Sequence, residues 1–216
     1  MGEVELDPVA RRINIHSTFI FYGESASPEI ASQVAFAIAE AWNEPQGHIH
    51  FNGGNWKVHF HIEGEFNPQL QPETVWYNSN PRLNFFRIED FADGNISFVD
   101  GIGSNTGYFK ADNLLRNSTT AAHEYGHTIG LLHPVNLDIR GMGQPGIMYP
   151  RGTICDPDFQ YDPWAKPLAP GGTLNPASRK VLLRDIENLR LEKLRYRQNR
   201  ATLGEFTNMY HTKHEK

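Results

Sequence analysis

Two histidines four residues apart, His123 and His127, stand in the segment Thr120-Ala-Ala-His-Glu-Tyr-Gly-His-Thr-Ile-Gly-Leu-Leu-His-Pro134. On a helix that spacing puts both imidazoles on one face, where they can share a metal ion. Glu124 flanks the same face and can reach a water carried by the metal without being a ligand itself. Three residues after His127, Gly130 can adopt positive φ, end the helix and turn the chain sharply. The turn returns His133 as a third ligand. Three neutral imidazoles with one open position suit catalytic zinc, whereas a structural site more often closes with four protein ligands. In a chain of this composition, the five fixed residues of H-E-x-x-H-x-x-G-x-x-H would arise by chance about once in ten thousand sequences.

The stretch HEYGHTIGLLH resembles the long zinc-binding motif of the metzincin clan of metallopeptidases. Gly146-Ile-Met-Tyr-Pro150 looks like that clan's methionine turn, so the resemblance implies that Met148 lies beneath the metal. The Ile-Met-Tyr-Pro wording is most similar to the matrixin branch. There the residues after the Met line the pocket for the side chain following the scissile bond, which implies that role for Tyr149 and Pro150. His133-Pro134 is instead similar to serralysin-type enzymes. The implied activity is zinc-dependent endopeptidase cleavage of polypeptide substrates, with Glu124 as general base. This chain departs from the matrixin pattern in the 14 residues between His133 and Met148 and in Arg151-Gly152 after Pro150. Pro150 stands where astacin- and serralysin-type enzymes place a Tyr, and no propeptide cysteine switch is evident. Two other readings keep the histidines: an inactive zinc-containing binding protein, against which Glu124 argues, and the same peptidase delivered as a toxin or effector.

The elements that must hold these residues are legible in outline. Arg12 to Tyr22 is rich in β-branched and aromatic residues and reads as a strand. Ser27 is a suitable N-cap and Pro28 a suitable first residue for a helix ending before Pro45, with Ile30, Val34, Ala37, Ile38 and Ala41 at helical spacing. A hairpin follows, His48 to Phe51 and Trp56 to Ile62, joined by Asn52-Gly53-Gly54-Asn55. Further strands are expected at Val75 to Asn78 and Arg82 to Ile88, with a strand-like piece at Tyr108 to Lys110. Gly107 and Tyr108, just before the active-site helix, either pair with an extended substrate by edge addition or belong to an ordinary loop. Asn117 and Ser118 are candidate caps for that helix, which runs to about Leu131. The Pro- and Gly-rich region from Pro134 to Asn175 reads as irregular. A long helix is expected from Pro176 to Arg200, with Val181, Leu182, Ile186 and Leu189 inward and a solvated basic face. This order suggests an α+β domain spanning residues 1–200, a metzincin-like mixed sheet with two main helices. The upper lobe would be residues 1–133 and a loop-rich lower lobe 134–200, with a cleft between them and a loosely ordered tail over 201–216.

Bulk properties narrow the partners. The net charge of -5 is mild and gives no reason to expect nucleic acid. No apolar run is long enough to span a bilayer. The first residues lack the basic and apolar regions of a signal peptide, so the chain is either not exported by that route or begins at a processed boundary. A secreted or delivered monomer is the expectation. Cys155 is the only cysteine, which excludes an intramolecular disulfide. His48 and His50, and His59 and His61, sit two apart on the hairpin; the polar face of a half-buried strand explains them better than a second metal. Asp90, Asp93, Asp100 and Asp112 lie in a Gly- and Asn-rich stretch where calcium is a weaker possibility.

Overall fold

A computed structural model describes residues 1–114, 118–162, 164 and 172–215. It shows a mixed α+β fold built on a mixed eight-stranded sheet. The strands are β1 (Gly2–Asp7), β2 (Arg12–Tyr22), β3 (His48–Phe51), β4 (Gly54–Phe66), β5 (Leu83–Glu89), β6 (Phe98–Val99), β7 (Thr106–Lys110) and β8 (Arg200–Leu203). The helices are α1 (Pro28–Asn43), α2 (Pro72–Trp76), α3 (Thr120–Thr128) and α4 (Leu183–Asn188).

The long β2 organises the sheet. On one side it runs parallel to β4 from Arg12 to Phe21. Its other side is shared: β1 takes Arg12 to His16 antiparallel, then β5 takes Thr18 to Tyr22 parallel. β7 continues parallel to β5, and the short β6 closes that end antiparallel to β7. Alternation along β4 turns Trp56, Val58 and Phe60 toward α1 and leaves Lys57 and His61 outside. Ser27 caps α1 as its sequence predicts, accepting from Ile30 N–H at 3.2 Å. Gly64 is required where α1 crosses the sheet, because a Cβ there would meet the Ala31 carbonyl oxygen at 2.2 Å.

Several expectations need correction. Val75 to Asn78 is not a strand: Gln71-Pro72 starts the single-turn α2, and Val75 faces the core from it. The long C-terminal helix does not form. Leu182 and Arg179 are extended, α4 covers only six residues, and Arg190 has φ +51°. Val181, Ile186, Leu189 and Leu191 are nonetheless buried, so the apolar pattern is satisfied by short turns. Gln198 and Asn199 both adopt positive φ, the signature of a tight hairpin turn, and lead into β8. The segment expected to be a loose tail is therefore partly sheet, because β8 pairs with β1. Beyond it, Glu205 N–H donates to Gly103, Thr207 and Asn208 N–H donate to Asn105 Oδ1, and His211 bonds Asp100 at 2.9 Å. β1 itself, with Val4 and Leu6 buried, is an alternating strand that the sequence reading passed over. No helix among the described residues is long and apolar enough to cross a membrane.

The main core lies between the sheet, α1 and α3. Tyr125 is its hub, with its ring edge-on to Phe19, Trp42 and Phe60. Its hydroxyl lies 2.9 Å from Ser17 Oγ. Trp42 Nε1 donates to the Ala122 carbonyl at 3.0 Å, so α1 holds α3 by a polar as well as an apolar contact. Tyr125→Phe should lower unfolding free energy by about 1 kcal/mol, the net worth of one buried hydrogen bond, read as a shift in urea midpoint.

Candidate metal centre

The helix α3 places His123 and His127 on one face, and its ending brings His133 to them. Gly130 N–H donates to the His127 carbonyl, Leu131 N–H donates to the Gly126 carbonyl, and Gly130 has φ +98°. This is a Schellman ending with Gly130 in the left-handed position. It replaces the expected continuation to Leu131, and the helix starts after Thr119. Of the two expected caps, Asn117 lies outside the described residues; Ser118 Oγ accepts from Thr120 N–H at 3.1 Å.

The three imidazoles converge. His133 Nε2 is 3.1 Å from His123 Nε2 and 3.0 Å from His127 Nε2. Among the described residues, His123, His127 and His133 form the one group of three or more His, Cys, Asp or Glu close enough to hold a metal. Nitrogens bound to zinc at 2.0–2.1 Å in a tetrahedron are about 3.3 Å apart, so the donor set fits such an ion. The other nitrogens reinforce that reading. His123 Nδ1 lies 2.7 Å from the Ile147 carbonyl, and His127 Nδ1 lies 2.8 Å from the Leu131 carbonyl. Each carbonyl accepts an N–H, which leaves Nε2 as the bare donor.

Met148 is buried against the helix that carries His123 and His127. A Cβ on Gly126 would meet its Sδ at 2.2 Å, so α3 and the turn carrying Met148 touch without a side chain between them. Asp185, at the start of α4, accepts from Leu182 N–H at 2.8 Å, and the Ile147 N–H lies close enough to oppose the upward shift that burial gives its carboxyl. Asp185 thereby sits beside the residue whose carbonyl orients His123.

Glu124 is buried, and burial pushes its carboxyl up to about 8, opposed by the nearby Arg179 guanidinium. Arg179 is a site residue that the sequence reading missed. It lay in the expected long helix, and no motif spacing marks it. Its side chain is 6% exposed. Nη1 lies 2.9 Å from His123 Nδ1 and donates to the Tyr149 carbonyl at 3.1 Å; Nε donates to Thr119 Oγ1 at 3.0 Å. Burial lowers its pKa to about 10, while Glu124 opposes the shift.

The structure also places the remaining candidate residues. Gly107 and Tyr108 do not offer a free edge, because Val99 and Phe98 of β6 pair with them. Tyr108 is buried, stacked on Phe98 and His214. Tyr149 is also buried, in a cluster with Ile139, Cys155 and Leu174, and Pro150 is half-buried. The four aspartates considered for calcium do not converge: Asp90 bonds Ser25, Asp93 faces His214, Asp100 holds Thr106 and His211, and Asp112 pairs with Lys110. His59 and His61 join His16 as a ring stack on the outer sheet face, with His16 and His61 centroids 4.6 Å apart.

No protein-family model, curated protein or solved structure matches this chain. The metal site is accordingly read from its own geometry.

Two outcomes follow. Gly126→Ala should cost about 1–3 kcal/mol by overpacking, and much less when Met148→Ala vacates the space; a double-mutant cycle in urea measures the coupling. The metal-site histidines also predict a pH dependence. Burial lowers the pKa of all three, with His123 furthest below the ordinary 6.5 and Arg179 adding to its shift. Below about pH 6.5 the unfolded chain's histidines take up protons that the folded, metal-free site resists, so their contribution to stability falls as pH falls. Glu124, with its carboxyl raised to about 8, contributes in the opposite sense, so the test uses Glu124→Gln: the urea midpoint of that chelator-treated variant should drop from pH 7.5 to 5.5, and saturating zinc should raise it at pH 7.5.

Proposed function

We propose that this chain is a zinc-dependent endopeptidase of metzincin type, with His123, His127 and His133 as zinc ligands and Glu124 as general base. The observation that carries the reading is the convergence of three Nε2 atoms on one point with a buried carboxylate on the adjoining helix position. A scaffold needs the histidines; it has no use for a carboxylate whose burial is costly. Zinc bound there would acidify water and polarise a peptide carbonyl. Glu124 takes a proton from the attacking water and returns it to the leaving amine nitrogen. A carboxyl raised toward neutrality is matched to both transfers. The Ile147 and Leu131 carbonyls keep two ligand rings in register throughout, and Met148 forms the base under them, the role its turn has in metzincins.

An extended substrate would pair with β6 rather than β7, since β6 ends the sheet's strand order beside α3. Gly103 N–H donates to the His127 carbonyl at 2.7 Å, which links the loop after β6 to the metal helix. The backbone of Tyr149 and Pro150 would wall the cleft on the opposite side.

The test is metal content and casein cleavage on wild type and Glu124→Ala together. About one zinc per chain in both proteins, with cleavage reduced at least 10²-fold in the variant, is the expected outcome. Zinc in both without cleavage of any broad substrate would favour a binding role. Absence of zinc from folded wild type would sink the reading.

A further inference from the structure

Arg179 poses a charge problem that the proposed chemistry does not use. A guanidinium at this depth is ordinarily paired with a carboxylate. Among the described residues none lies within salt-bridge distance of it. Its partners are neutral: Thr119 Oγ1, the carbonyls of Tyr149 and Pro176, and His123 Nδ1.

The last of these contacts conflicts with metal binding. His123 Nδ1 cannot donate to the Ile147 carbonyl and accept from Arg179 at the same time. When Nε2 serves a metal, Nδ1 carries the proton, and Nη1 then faces another N–H instead of an acceptor. A dication on the far side of the same ring adds like charge. The one acid nearby, Glu124, is committed to proton transfer. The loaded site is thus a buried cation one imidazole away from a metal, short of an acceptor and short of negative charge.

Resting on the peptidase reading above, we propose that Arg179 is a carboxylate receptor of the cleft. It selects a substrate carboxylate on the side lined by Thr119, His123 and Tyr149. Two sources share that chemistry: an Asp side chain directly after the scissile bond, and the C-terminal carboxylate of a short peptide. The planar guanidinium fork can engage either through two parallel hydrogen bonds. A neutral amide in the same place leaves the cation unpaired, which is the costly mismatch.

The test separates binding from turnover. Zinc-loaded Glu124→Gln protein is titrated calorimetrically with end-blocked octapeptides in which a single Asp or Asn is walked along the sequence. A second pair has no Asp and differs only in a free or amidated C-terminus. Wild type digests the same peptides, and mass spectrometry locates the cleaved bonds. The expected result is a carboxylate form favoured at least tenfold in binding and in kcat/KM. Arg179→Gln should bring the two forms within about twofold, and Arg179→Lys should retain an intermediate preference. Whether Asp over Asn or free acid over amide carries the effect names the source.

Equal losses for both forms in Arg179→Gln, or a preference that survives it, would overturn the proposal and make Arg179 a structural clamp. Should Arg179→Gln not fold, the Lys variant and the wild-type preference decide alone: no preference overturns it. Wild type that cleaves without preference refutes the receptor and keeps the peptidase. Arg179-dependent binding without any cleavage refutes the peptidase and keeps the receptor.

Discussion

Three imidazoles can share one ion only if each presents a bare nitrogen to it, and this tautomer constraint organises the structure around the site. A free histidine distributes its proton between two nitrogens. Here the Leu131 carbonyl faces His127 Nδ1 and the Ile147 carbonyl faces His123 Nδ1. The first carbonyl is supplied by the Schellman turn at Gly130, so one local backbone event both ends the helix and orients a ligand. The second belongs to the segment carrying Met148, which reaches the helix from the other side of the site.

Those two carbonyls must be held to within a few tenths of an ångström, and the surrounding packing does this. Tyr125 and Trp42 fasten α3 to the sheet and to α1. Gly126 lets the Met148 sulfur rest against the helix, and Asp185 lies by the Ile147 N–H. The strand β8 and the chain after it add a further restraint: Gly103 bonds both Glu205 and the carbonyl of His127. Residues far apart in the chain therefore meet on one short helix, whose own nine residues would be marginal alone.

The electrostatics of the centre follow from burial. Low polarity keeps the histidines neutral and available as ligands, and the same environment raises the Glu124 carboxyl to about 8. Arg179 works against the carboxyl shift and adds to the imidazole shift. Its cost is a buried positive charge beside a cationic site, which a bound anion would offset.

Local chemistry was legible in the sequence wherever a short-range rule decides the outcome. The spacing of His123 and His127, the left-handed glycine at 130, the Ser27 cap and the alternation through β2 and β4 all depend on neighbours within a few residues. The same reading mistook residues 176–200 for one helix, because buried apolar residues at near-helical spacing also suit a run of short turns. It passed over β1, which pairs with β2, and β8, whose pairing edge is supplied by β1 from the other end of the chain. It left Gly107 and Tyr108 as either an open edge or a loop, since nothing local reveals that β6 folds back to cover them. Arg179 and the carbonyl of Ile147 were invisible for a related reason. Burial, desolvation and backbone hydrogen-bond partners are properties of contacts between distant segments, and a sequence of residue types carries no direct record of them. The sequence by itself determined which side chains could share a metal and which could act as base; the tertiary structure decided which nitrogen each ring could offer an ion and what charge surrounds that point.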